Sequence, residues 1–219
     1  MKILRFKNAD YQELWDFQEQ LAQKMQADEE VEDHLLLIEH KPVYTIGRDG
    51  SDADLLVSSK VLKDEGINLY HTNRGGKITY HGPGQLVGYP IINLKRHGRD
   101  LLIYIRKLEE SLIDLLEEYQ ISTHRIEGLP GIWIGNNKIA AIGIGVKRWI
   151  TRHGFALNVN TDLRPFFRIN PCGLIDKGVT SMRKNLKHCV DIEEVSTKYI
   201  DIFTRIFAVD CEGSEILRI

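Results

Sequence analysis

The chain is short of several features that would have narrowed its nature at once. It has only three cysteines in 219 residues, an odd number at unrelated spacings, so no disulfide framework is expected and a reducing compartment is. No apolar run approaches the roughly 20 residues that span a bilayer. The first residues, MKILRFKNAD, turn polar too soon for a secretory signal. Basic charge is not in excess: the formal net charge is -2, which removes the electrostatic case for nucleic acid at the level of the whole chain. No closely spaced pair such as C-x-x-C is present, so a structural metal is not expected. Repeats, low-complexity segments and linkers are also missing. With 42% hydrophobic and 27% charged residues the composition is that of a folded chain, long enough to build a core without crosslinks. A cytoplasmic protein with no membrane or nucleic-acid partner is the expectation.

Patterning supplies the elements. Lys2 to Phe6 reads as a short strand, and Tyr11 to Gln26 as an amphipathic helix with Leu14, Phe17, Leu21 and Met25 at three-to-four spacing. HLLLIEH (His34 to His40) is a buried strand, VYTIGR (Val43 to Arg48) continues extended, and Ser58 to Glu65 is a short helix stopped by Gly66. Asp100 caps the longest helix, running to about Tyr119 with Leu101, Ile105, Leu108, Leu112 and Leu115 on one face. Gly131 to Asn160 reads as a meander, Ile192 to Phe207 as a closing helix, and the acidic tail after Ala208 as peripheral. The fold class is α+β (α/β), a single domain over residues 1–219 with mixed β-sheets flanked by helices.

One stretch organises the rest. RGGKITYHGPGQLVGYP (Arg74 to Pro90) holds five glycines among β-branched and aromatic residues, which predicts two short strands joined by a tight HGPG turn. Ordering so many glycines is costly, and the cost is tolerable where backbone must turn sharply or approach a ligand closely. A decorated β-hairpin satisfies the pattern. So does the wall of a narrow site carrying Arg74, Lys77, His81 and Gln85.

Further along lie residues with chemistry. Cys172, in INPCGLID, sits between a proline that fixes the incoming backbone and a glycine that permits a sharp exit. An inert small residue in a turn fits that setting, and so does an accessible nucleophile. Cys189 and Cys211 lack it. Lys138 follows the Asn136-Asn137 turn and starts a run of small apolar residues; a solvated lysine or a partly desolvated proton carrier both fit. A cation facing a cysteine favours its thiolate, so a Cys172/Lys138 dyad would suffice for acyl transfer. His81 and His153 each precede a glycine and are read as support for a site rather than as metal ligands. Ala140, Ala141, Gly143, Gly145, Gly154 and Ala156 either pack strands closely or line a slot for a slim apolar chain. Burying an eight-carbon acyl chain there would contribute about 5 kcal/mol at roughly 0.8 per methylene.

Three blocks, RGGKITYHGPGQLVGYPI, GIWIGNNKIAAIGIGVKRWITRHGFALNV and INPCGLIDKGVTSM, with TIGR at Thr45 to Arg48 in support, resemble the signature of the lipoyl(octanoyl) transferases, in the family's order, from about Val43 to Met182. The resemblance implies a fold shared with biotin and lipoate protein ligases. It implies transfer of octanoyl from the phosphopantetheine thioester of acyl carrier protein to a lysine of lipoyl domains, those of 2-oxoacid dehydrogenases and of the glycine cleavage H protein, without ATP, metal or another cofactor. Cys172 would carry the acyl thioester and Lys138 would be its proton partner. Arg74, Gly75, Gly76, Lys77, Ile78, Thr79, Tyr80 and His81, with Ala141, Ile142, Gly143, Gly154, Phe155 and Ala156, would line the substrate site, and His153 would support it.

Both protein partners are expected to be acidic near the modified residue. Lys147, Arg148 and Arg152 flank the second block, and Arg183, Lys184 and Lys187 follow Cys172; the first cluster is expected to help dock the carrier protein. Other readings remain at this stage: an ATP-dependent lipoate or biotin ligase of the same fold, which needs no nucleophilic cysteine; a non-catalytic acyl-binding module, which needs neither Cys172 nor Lys138; and a cysteine hydrolase with a histidine base, which leaves Lys138 unexplained.

Overall fold

The structure, a computed structural model, describes residues 1–170, 177–211 and 213–217. In chain order its elements are β1 (Lys2–Ala9), α1 (Tyr11–Ala27), β2 (His34–His40), β3 (Val43–Ile46), α2 (Ser59–Asp64), β4 (Asn68–His71), β5 (Ile78–His81), β6 (Gln85–Ile91), α3 (Leu101–Glu118), β7 (His124–Ile126), β8 (Leu129–Ile134), β9 (Asn137–Lys147), β10 (Ile150–Asn158), β11 (Gly178–Val179), α4 (Met182–Leu186), α5 (Ile192–Phe207) and β12 (Ser214–Leu217). Among the described residues the large sheet runs β12-β1-β2-β6-β10-β9-β8-β7, with β11 added beside β9, and a small sheet runs β4-β3-β5. Both are mixed: β12-β1, β1-β2, β9-β11 and β3-β4 are parallel, and the other pairs are antiparallel.

The unbroken apolar run of β2 is explained by helices on both faces of the large sheet. Leu35 and Leu37 enter one core with Leu108 and Leu112 of α3 and Tyr199 and Phe203 of α5. Leu36 and Ile38, one residue out of phase, enter a second core with Leu14, Leu21 and Met25 of α1. Each long helix begins on an aspartate whose side chain accepts backbone N–H bonds: Asp10 from Gln12 and Glu13, Asp100 from Ile103, Asp191 from Glu193. Leu112 has no exposed surface; truncating it to alanine costs about 2–5 kcal/mol.

Three sequence expectations change. The strands on either side of the HGPG turn do not form a hairpin: β5 pairs with β3 in the small sheet, whereas β6 lies between β2 and β10 in the large one. The turn is a crossing between sheets, held by Gln85 N–H to Gly82 O (3.2 Å) and Asn160 N–H to Gly84 O (2.8 Å). Gly84 has φ +79, and a Cβ there would stand 2.8 Å from the Asn160 carbonyl carbon, so only glycine fits. The tail is not merely peripheral, because β12 pairs with β1 and closes that sheet edge. Leu101, expected on the buried face of α3, is 40% exposed, since the first turn of the helix overhangs a cavity rim.

Candidate active site

A cavity of about 510 Å³ opens between the middle of β9 and β10, strand β5 with the loop before it, and the start of α3. That size is ordinary for a small-molecule site. One wall is Ala141, Ile142, Gly143 and Ile144 of β9 against Gly154, Phe155 and Ala156 of β10; the other is Arg74 to Thr79 with His81. The walls meet because the loop crosses β9 at contact distance. Gly75 N–H donates to Ile144 O (2.9 Å), and a Cβ on Gly143 would lie 2.9 Å from Gly75 O and 3.2 Å from Arg74 Cδ. A side chain at 143 would push the walls apart.

Arg74 holds this loop in place. Its buried guanidinium donates from Nε to Thr45 Oγ1 (3.2 Å), from Nη2 to Thr45 O (2.6 Å) and Lys77 O (2.7 Å), and from Nη1 to Gly75 O (2.9 Å). The cation thereby ties residues 74–77 to β3. Burial lowers its pKa from the ordinary value, but an arginine stays charged through the working pH range.

Around this cation sits a buried aromatic group: Tyr11 stacks nearly parallel on His81 (6.2 Å between centroids, 7°), and His40 lies 5.8 Å from both His81 and Tyr89. Hydrogen-bond partners fix each imidazole's tautomer. Asn158 Nδ2 donates to Thr180 O, Gln85 Nε2 donates to Asn158 Oδ1 and to Tyr80 O, so Gln85 Oε1 accepts from His81 Nδ1–H at 2.8 Å. His81 thus keeps its lone pair on Nε2. Asn73 Nδ2 donates to Glu19, so Asn73 Oδ1 accepts from His153 Nε2–H at 2.7 Å, and the lone pair is on Nδ1, buried and without a partner among the described residues. His40 donates from Nδ1 to Ala9 O and accepts the Tyr89 hydroxyl at Nε2. Burial, then neighbouring positive charge, pushes His81 and His153 down to about 3; burial alone takes His40 to about 4. All three are neutral at pH 7, and the cavity's polar end presents acceptor lone pairs beside one cation already bonded to four acceptors.

At the other end of β9 stands Lys138. Its ammonium lies 4.7 Å from the centroid of the fully buried Trp133 ring, and Lys177 lies 5.5 Å from the same ring. Val179 of β11 pairs with Lys138, and Thr180 N–H donates to Lys138 O (3.0 Å). The chain that follows residues 171–176 is therefore laid against Lys138, which stands 41 positions before its pairing partner Val179. Cys172 lies outside the described residues; the positions that bracket it are Asn170, whose N–H donates to Asp54 O (2.8 Å), and Lys177, on the cavity wall.

Of the residues singled out from sequence, Lys138 and His153 also line the cavity, and Tyr80 does not. Period two along β5 puts Tyr80 on the face of Ile78, in the small-sheet core with Tyr44 (5.3 Å) and Phe166 (5.7 Å). Arg152 is also displaced from its expected role: it is buried, with Nε 2.8 Å from Glu19 Oε1. Sequence reasoning missed Tyr11, Tyr89, Asn158, Leu101, Ile105 and Phe166 as lining residues. Asn158 had a signal, being an amide inside an apolar strand; Tyr11 and Phe166 had none. Among the described residues no group of three His, Cys, Asp or Glu could hold a metal ion, and no helix is long and apolar enough to cross a membrane.

A slot closed by a glycine-rich loop over a mixed sheet defines an α/β ligand-binding domain of the lipoate and biotin protein ligase fold. A lipoate-protein ligase A solved with ATP superposes with a TM-score of 0.75 at 17% identity, over 99% of this chain and 88% of its own. The biotin protein ligase of Aquifex aeolicus does so at 0.53, with 15% identity over 95% and 69%. The chain belongs to the family of the lipoyl protein ligase A/B catalytic domain, which it matches over residues 10–204. It is 45% identical to the octanoyltransferase of Desulforamulus reducens, over 96% of this chain and 92% of that one. With the octanoyltransferase of Caldanaerobacter subterraneus subsp. tengcongensis it shares 50% identity over 87% and 83%.

Proposed function

We propose that the protein is an octanoyltransferase that moves octanoyl from octanoyl-acyl carrier protein to the lysine of lipoyl domains, the first step in building protein-bound lipoate, in the cytoplasm and without ATP or metal. The observation that carries this reading is the apolar slot between the β9–β10 wall and the Arg74 to Thr79 loop, with Lys138 at its end, in a chain 45–50% identical to octanoyltransferases. In the first step the Cys172 thiol gives its proton to Lys138, and the sulfur attacks the thioester carbonyl. The carbon–sulfur bond to pantetheine breaks, and the pantetheine sulfur takes the proton back. One thioester replaces another, so the step is reversible. In the second step the neutral amine of the acceptor lysine attacks the acyl-Cys172 carbonyl, Lys138 accepts the proton released from nitrogen, and the thiol of Cys172 is restored as the amide forms. Amide formation from a thioester is downhill, so no nucleotide is needed. Acceptors are the lipoyl domains of 2-oxoacid dehydrogenases and the glycine cleavage H protein.

The test is intact mass after mixing with octanoyl-acyl carrier protein, no ATP added, for the wild type, Cys172→Ala and Lys138→Ala. A hydroxylamine-labile octanoyl adduct, lost in the Cys172 variant, is expected. No adduct, with an acyl-adenylate formed once ATP and free octanoate are supplied, would hand the case to a ligase.

A further inference from the structure

Three large apolar residues stand exposed in a row at the start of α3: Leu101, Leu102 and Ile103, with 40%, 65% and 54% of their surface open. Exposed apolar residues are ordinary singly; a contiguous group marks an interaction surface. The group is continuous with the cavity, because Leu101 and Ile105 of the same helix line it. Beside it, Trp149 (40% exposed) projects from the β9–β10 turn, which is joined to the approach of α3 by Leu94 N–H to Trp149 O (2.8 Å).

The backbone at this surface is held in an unfavourable form. Arg99, Arg148 and Trp149 all take left-handed φ values of 53°, 54° and 67°, at which glycine would be cheaper by about 1 kcal/mol each. Large cationic and aromatic side chains stand there in spite of that strain. Part of the charge there is also not held in ion pairs. Lys95, Arg106 and Arg152 each face a glutamate, whereas the exposed Arg99, Lys147 and Arg148 form no ion pair among the described residues. Asp100, the nearest acid in sequence, is engaged in capping α3.

We infer that this apolar patch with its basic rim, Leu102, Ile103 and Trp149 ringed by Arg99, Lys147 and Arg148, is the docking surface for the acidic acyl carrier protein. The inference rests on the octanoyl-transfer reading. Reach decides between the two acidic partners. Lys138 and Lys147 are nine residues apart on β9, up to about 30 Å at roughly 3.3 Å per residue. An acceptor lysine carries only a four-carbon side chain, so a lipoyl domain must dock near Lys138. A phosphopantetheine arm is several times longer and lets its protein sit against the start of α3, whose Leu101 and Ile105 share the cavity with Lys138, while the arm crosses the cavity.

The experiment compares the wild type with Lys147→Glu/Arg148→Glu and with Leu102→Ser/Ile103→Ser. It measures KM for octanoyl-acyl carrier protein, for octanoyl-pantetheine and for a lipoyl domain, with calorimetric binding of the carrier protein alongside. Charge reversal should raise the carrier-protein KM by about tenfold or more at low salt, with the difference fading at high salt. The Leu102/Ile103 variant should raise it at all salt concentrations. Kinetics with octanoyl-pantetheine and the lipoyl-domain KM should stay put. An unchanged carrier-protein KM would overturn the inference, as would a rise confined to the lipoyl domain, or a wild-type dimer that the Leu102/Ile103 variant dissolves. A wild type that binds the carrier protein through this surface and acylates nothing would refute octanoyl transfer and leave the docking surface standing.

Discussion

Arg74→Met is the substitution that most directly tests how the cavity is held together. It removes a buried cation while keeping most of the side-chain volume. It leaves Thr45 Oγ1, Thr45 O, Lys77 O and Gly75 O without their donor, and Thr45 has no exposed surface through which water could replace it. A buried acceptor left unsatisfied costs about 1–3 kcal/mol. The two oxygens of Thr45 incur that penalty fully, and the carbonyls of Gly75 and Lys77, on the cavity side, recover part of it from water. The expected loss is about 3–5 kcal/mol, against a total of roughly 5–15 for a domain. With a urea slope of about 2–3 kcal/mol/M for a chain of this size, the midpoint should fall by about 1–2.5 M. Arg74→Lys keeps the charge but not the fork and should recover only part of the loss. Where the Met variant still folds, octanoyl transfer should drop by about a hundredfold, as a misplaced wall does. A midpoint within about 0.3 M of the wild type, with transfer intact, would refute the view that this one cation anchors the loop.

Gly143→Ala puts a methyl 2.9 Å from Gly75 O; it should cost about 1–3 kcal/mol and raise the KM for the acyl donor more than it lowers kcat, and unaltered kinetics would show that the loop yields freely. His40, His81 and His153 are held near 4, 3 and 3 in the folded chain and titrate near 6.5 when unfolded. The unfolded state therefore binds more protons below pH 6.5, and stability should fall with pH by about 1 kcal/mol per histidine per unit down to roughly pH 4; urea midpoints that agree at pH 5 and pH 7 would contradict it. Nitrogen-15 spectra at pH 7 should find His81 protonated at Nδ1 and His153 at Nε2, and the reverse pattern for either ring would break the chain of bonds through Gln85 or Asn73.

Much of the fold was legible because its signals are local. The three-to-four spacing after Asp10 and Asp100 fixed two helices, and the apolar run of β2 announced a strand covered on both faces. What was not legible was pairing. Alternation says that Ile78 to His81 and Gln85 to Ile91 are strands, but it does not say with whom they pair, and the glycine turn between them serves a sheet crossing as readily as a hairpin. The same limit misplaced Tyr80. A glycine-rich block was read as a continuous wall, yet a strand shows alternate residues to opposite sides, so Thr79 and His81 face the cavity while Tyr80 enters the small-sheet core. Arg152 misled for a different reason. Three cations close together in sequence suggested one basic patch, but Arg152 turns to Glu19 on α1, a partner 133 positions away that no local pattern reveals.

The site's electrostatics follow from this long-range assembly rather than from any motif. Arg74, His40, His81 and His153 come from four separate segments, and only the packing of α1 over β10 and the loop over β9 makes them neighbours. Once they are buried together, desolvation keeps all three histidines neutral, with the cation adding to the effect at His81 and His153, and the amides of Gln85 and Asn73 decide which nitrogen of those two rings keeps its proton. The polar end of the slot is thus a set of fixed dipoles and lone pairs, unresponsive to pH between about 5 and 8. It suits substrate N–H and O–H donors, and its three histidines offer no titrating base near pH 7. On the octanoyl-transfer reading proposed above, proton transfer falls to the Lys138 end, where a lysine lies against an indole and the chain leaving residues 171–176 returns to β9. That reading separates binding from proton transfer along a single strand: small residues in the middle of β9 would make room for the acyl chain, and the lysine at its start would handle the proton.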